Sequence, residues 1–96
     1  MKIYLTLQEI KSLIIDIENV ASKNLTPSKK YPVNVGVYVG VNKADHLCLF
    51  VDLIDKYGEI WASHFWNLEN RQAETLSQEL EALVLSFVRE ADPNKN

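Results

Sequence analysis

The sequence predicts a two-layer α+β domain, in which a helix, a three-stranded antiparallel β-meander and a second helix follow one another along the chain. Three patterns carry that expectation. An apolar stripe at steps of three and four runs over about 7–23, three strand-like segments fill 33–66, and a second apolar stripe runs over about 76–91.

The first helix is announced by Thr6-Leu7-Gln8-Glu9, the spacing of a capping box, with Leu5 and Ile10 placed for a hydrophobic staple. Leu7, Ile10, Leu13, Ile14, Ile17, Val20 and Ala21 form its apolar face. It should stop near Asn24, a residue that tolerates the left-handed C-terminal conformation, and before Pro27, which cannot continue a helix. Lys2 to Leu5 read as a short strand.

Residues 33–42 alternate valine with other residues for five periods, a strong strand signal. Residues 47–55 and 60–66 read as the second and third strands, joined by a three-residue loop at Lys43-Ala44-Asp45 and a two-residue loop at Tyr57-Gly58. The second helix should begin near Asn67 or Asn70, carry an apolar stripe of Leu76, Leu80, Leu83, Val84, Phe87 and Ala91, and end at Asp92-Pro93.

Those loop lengths fix a register. Val41, Val39, Val37 and Val35 face Leu47, Leu49, Val51 and Leu53, while Leu53, Val51 and Leu49 face Ala62, His64 and Trp66. This aliphatic face is the expected core. The other face carries Asn34, Gly36, Tyr38, Gly40, Cys48, Phe50, Asp52, Ile54, Trp61, Ser63 and Phe65, with Tyr38, Phe50 and Phe65 in a row across the strands. Two packings satisfy the layer rule: both helices on the aliphatic face, which exposes an aromatic patch of the kind that marks interfaces, or one helix on each face. Glycines at 36 and 40 lean toward exposure, because strand glycine packs nothing of its own.

At 96 residues the chain fits one domain, with a core over about 5–91 and a polar tail at 92–96 expected to fray. Apolar residues make up 47% and charged residues 24%, the profile of a globular chain that folds unaided. No apolar run approaches the roughly 20 residues of a membrane span, and no signal-peptide core is present, so a soluble cytoplasmic protein is expected. The lone Cys48 cannot form an internal disulfide, which favours a reducing compartment. A net charge of −3 argues against broad attraction to nucleic acid or anionic lipid.

Little catalytic chemistry is legible. His46, Cys48 and His64 fall apart in the expected register, no paired zinc spacing exists, and Cys48 reads as a small hydrophobe, so no catalytic residue, metal or cofactor is expected. Asp52, opposite Ser63, reads as a solvated charge that limits sheet aggregation or as a specificity contact. Gly36 and Gly40 lie inside a strand and form no phosphate cradle.

The element order over about 7–91 resembles the double-stranded RNA-binding domain, and more loosely small acidic secretion chaperones, which carry further strands and a further helix. The first family grips phosphates with lysines at the start of its second helix. Here Leu68 to Glu74 holds one arginine and two glutamates, and residues 69–92 hold six acids against two arginines, so the resemblance is one of topology.

The expected function is therefore that of a non-enzymatic protein-binding domain: a small inhibitor, immunity protein, antitoxin or phage-type anti-defence factor, phage or bacterial in origin. Its candidate contact residues are Tyr38, Phe50, Asp52, Ile54, Trp61 and Phe65 on the sheet, with Glu74, Glu79 and Glu81 on the acidic helix, where they would face a basic, nucleic-acid-binding partner. Self-association through the sheet face belongs to the same reading. The alternative is a nucleic-acid module that stacks bases on those aromatics, weakened by the shortage of bordering lysines.

Overall fold

A computed structural model describes residues 5–25, 34–71 and 73–91. Its element order is α1 (Leu7–Lys23), β1 (Asn34–Val41), β2 (Leu47–Ile54), β3 (Ile60–Asn67) and α2 (Ala73–Ala91), an α+β arrangement on an antiparallel sheet of order β1-β2-β3. Among the described residues no helix is long and apolar enough to cross a membrane. Of the strand expected at Lys2 to Leu5, residues 2–4 lie outside the described residues, as does the tail at 92–96, and Leu5 is not in a strand.

The capping box forms as its spacing requires: Glu9 N–H donates to Thr6 Oγ1 at 3.1 Å and Thr6 N–H to Glu9 Oε1 at 3.0 Å. Leu13, Ile17 and Ala21 form the buried stripe of α1, whereas Leu7, the first residue of the helix, is 69% exposed. The helix ends at Lys23 without the left-handed turn expected of Asn24, whose φ is −104°. Instead Asn24 Nδ2 donates to the Val20 carbonyl at 2.8 Å, so the side chain satisfies an orphan carbonyl that a left-handed cap would have satisfied with backbone.

Every expected cross-strand pair is found, from Val35 opposite Leu53 to Val41 opposite Leu47 and from Leu53 opposite Ala62 to Leu49 opposite Trp66. The two hairpin turns share one bonding plan. Asn42 and Asp55 each turn a side-chain Oδ1 onto two following backbone N–H groups, those of Ala44 and His46 in one turn and of Tyr57 and Glu59 in the other. Each turn closes through a residue in the left-handed region, Asp45 at φ 64° and Gly58 at φ 81°.

The second loop is therefore not the expected pair Tyr57-Gly58. Asp55 N–H bonds to the Glu59 carbonyl at 2.9 Å, which makes a three-residue loop of Lys56, Tyr57 and Gly58. A bulge corrects the difference: Ile54 lies opposite Ile60 and Leu53 opposite Ala62, so Trp61 is the additional residue.

Helix α2 starts at Ala73, later than either expected asparagine. Asn67 Oδ1 accepts from Glu69 N–H at 2.7 Å and so makes a local turn, and Asn70 sits at φ 63°, a conformation a helix cannot contain. Between them Leu68 drops its side chain fully into the core while its N–H extends the ladder to the Leu47 carbonyl at 2.9 Å.

The core joins Leu13, Ile17 and Ala21 of α1, Leu49, Val51 and Leu53 of β2, Leu68, and Leu76, Leu80, Val84 and Val88 of α2, with Val35, Val37, Val39, Ala62 and Trp66 packed against it. All of its sheet residues belong to one face, so both helices cover that face. Each fully buried aliphatic side chain there contributes about 1.5–3 kcal/mol.

Candidate functional site

The face away from the helices is built on the row that the register sets. Tyr38 and Phe50 are opposite one another, their rings parallel to within 4° and 5.1 Å apart, and Phe50 meets Phe65 at 5.5 Å with a 41° tilt. Tyr38 is 46% and Phe65 48% exposed, with Phe50 half-buried between them. The two strand glycines give these side chains room: a Cβ on Gly40 would lie 3.3 Å from Phe50 Cε2, and one on Gly36 would lie 3.5 Å from Ile54 Cδ1. At the hairpin end, Phe50 and Phe65 join Val41, Asn42, Lys43 and Ala44 around a shallow depression of about 480 Å³.

Asp52 corrects the sequence reading. It is buried, not solvated, and accepts a 2.6 Å hydrogen bond from Ser63 Oγ across the strands. The Tyr38 phenol beside it has its pKa pushed up, first by desolvation and then by the Asp52 carboxylate. Cys48, on the same face, is fully buried, and its thiol donates to the His46 carbonyl at 3.4 Å. Burial, and then the charge of Glu69, push that thiol's pKa up, the opposite of what a nucleophile requires. Ile54 and Trp61 are half-buried at the far end of the face.

The acidic residues stand elsewhere. Glu79 and Glu81 lie on α2, on the other side of the sheet from the aromatic row, and two residues of helix set them about 200° apart around its axis. Glu79 is engaged by Arg71 Nη1 at 2.8 Å and Glu81 is half-buried; the Glu74 side chain lies outside the described residues. The sequence-derived contact set thus divides between two opposite surfaces, and only its sheet members come together.

Sequence reasoning missed Glu69. Its carboxylate, with the side chain 6% exposed, accepts from Leu47 N–H at 2.6 Å and lies 3.3 Å from His46 Nδ1, which clamps the β3–α2 connection to the first hairpin. The Leu47 N–H is the main cause that holds its pKa below the ordinary value. The signal was an acid two residues after an asparagine that turns out to cap a turn rather than a helix.

Among the described residues, no group of three or more His, Cys, Asp or Glu side chains is placed to hold a metal ion. Ser63 and Asp52 are hydrogen-bonded to one another, and the cross-strand neighbours of Asp52 are Gly36 and Ser63 rather than a second acid or a base. What the arrangement supplies is a half-exposed aromatic surface with one buried carboxylate. No protein-family model matches the chain, and neither curated proteins nor solved structures give a match.

Proposed function

We propose that the chain is a non-enzymatic protein-binding domain that occupies a site on a larger protein through its uncovered sheet face, in the manner of an inhibitor, immunity protein, antitoxin or anti-defence factor. The observation that supports this reading most is the Tyr38, Phe50 and Phe65 row, half-exposed on a face that no described helix covers. Exposed contiguous apolar surface usually marks an interface, and aromatic side chains are enriched at interface cores. The rings are already packed against one another, so binding would immobilise little that is still free.

The acidic residues of α2 support the reading less, because Glu79 already has a cation and Glu81 points elsewhere. Stacking of single-stranded nucleic acid on the same rings is the competing occupant. Against it, the carboxylate of Asp52 stands in the middle of the face, while Lys43 is the cation among the residues that line its depression.

The test compares two baits. Wild type and Phe65→Ser are immobilised, and any protein retained by the first is titrated against both; a loss of at least tenfold in affinity with Phe65→Ser, and little change with Glu79→Gln, is the expected result. Equal affinity for Phe65→Ser and wild type would overturn the assignment to this face. Single- and double-stranded oligonucleotides at moderate salt should bind no tighter than about the micromolar range of non-specific contacts, and submicromolar binding would promote the competing occupant.

A further inference from the structure

The sheet has two free edges among the described residues, β1 and β3, and they are not alike. β3 carries the Trp61 bulge, a common device against unwanted pairing. Among the described residues β1 carries no such device: Asn34 to Val41 contains no charge and no proline, and its register with β2 is unbroken. Read together with the next residue, 34–42 is Asn-Val-Gly-Val-Tyr-Val-Gly-Val-Asn, which is the same in both directions about Tyr38.

A palindrome has no special meaning within one chain, but it does in an antiparallel pair of identical strands. A twofold axis sets residue i opposite residue j and j opposite i, so a palindromic strand meets its own sequence. We infer that β1 is a self-pairing edge, and that two copies join antiparallel about Tyr38 into one six-stranded sheet.

The backbone geometry agrees with that register. Asn42 N–H bonds to the His46 carbonyl, and Leu47 directs both of its backbone groups the other way, to Glu69 and Leu68. By the alternation of antiparallel ladders, Gly36, Tyr38 and Gly40 bond inward to β2, while Val35, Val37, Val39 and Val41 direct N–H and C=O to the free edge. Centring the twofold on Tyr38 sets Val37 opposite the second copy's Val39 and Val35 opposite its Val41, so outward-bonding residues meet outward-bonding residues. Faces match as well. Gly36 meets Gly40, and Tyr38 meets Tyr38, which continues the aromatic row across the axis. Registers shifted by two place Tyr38 against a glycine and lose this coincidence.

This inference concerns the edge and stands apart from the binding assignment. Phe65 lies on β3, two strands from the axis, so Phe65→Ser should leave self-association intact. Sedimentation of wild type from about 5 to 500 µM should show a dimer with a dissociation constant on the order of 10–100 µM, since an edge-to-edge seam is at the small end of interface sizes. Over the same range, hydrogen exchange at the Val37 and Val39 amides should slow with concentration.

Register is read by cross-linking. Residue 38 and its copy form a non-hydrogen-bonded pair with Cα atoms about 4.5 Å apart, within disulfide reach. Tyr38→Cys should therefore oxidise to a covalent dimer about tenfold faster or more than Val41→Cys, which faces Val35 instead of itself. The native Cys48 is fully buried and stays out of the reaction. A wild type that is monomeric at about 500 µM, with valine exchange independent of concentration, would overturn the dimer. Equal cross-linking at 38 and 41 would overturn its register. Should Tyr38→Cys fail to fold, the exchange measurement on wild type decides alone.

Discussion

The two faces of the sheet bury their residues in different ways. On the helix side, Leu49, Val51 and Leu53 of β2 are excluded from water by a second layer, and whatever stands on that strand is covered regardless of its height. On the other side the same strand still buries Cys48 and Asp52, but Tyr38 and Phe65 on the flanking strands stay half-exposed. Without a covering layer, protection comes only from neighbours in the plane. Short side chains at the centre sink below the rings around them, and the tall ones keep their upper surfaces wet. The difference teaches that a buried residue is not evidence of a covered face, and that a carboxylate can be dry on a surface that is open.

The largest effect should come from the layered side. Leu49→Ala removes a fully buried side chain and should cost about 2–5 kcal/mol, whereas Phe65→Ser should cost about 1 kcal/mol in dilute solution. Urea unfolding at low micromolar concentration measures both, and similar losses would mean that the aromatic face is a second core. A double-mutant cycle then examines the in-plane protection. Ser63→Ala alone leaves the Asp52 carboxylate one donor short and should cost about 1–3 kcal/mol; after Asp52→Ala the same change should cost less, with a coupling of about 0.5 kcal/mol or more. A coupling near zero would show that water reaches Asp52 freely.

The smallest effect lies where the faces meet, at Glu69. Its folded-state pKa is depressed by the Leu47 N–H, so its stabilisation is fully present above the ordinary carboxylate pKa and is lost as pH falls below it. Acid titration of the melting temperature should show that limb in wild type and a shallower one in Glu69→Gln. Identical profiles would remove Glu69 as a clamp.

Much of this was legible. The valine alternation over 33–42 and the apolar run over 47–55 fixed both strands and their pairing, because a one-residue slip would send every valine to the wrong face. The capping box located α1 to the residue. What could not be read was set by contacts distant in sequence: Glu69 reaches back to Leu47, and Leu68 fills a core place that no local period announces. Asparagine was ambiguous for a physical reason. The same short amide caps a helix, makes a turn or enters the left-handed region, and here Asn24, Asn67 and Asn70 each did something other than expected.

The bulge at Trp61 has a consequence for how this gene can change in length. Trp61 has no partner on β2, so loss of its codon would leave Ile60 opposite Ile54 and Ala62 opposite Leu53, with Ala62, His64 and Trp66 still under the helices. Side chains alternate with a period of two, so a codon lost after Ala62 would instead turn His64 and Trp66 outward. The loop at Lys56 to Gly58 can also change length without moving these pairs, because Asp55 and Glu59 close it before the ladder begins. Single-codon changes should therefore be tolerated at the loop and at the bulge, and viable descendants should differ in length there rather than between Ala62 and Trp66.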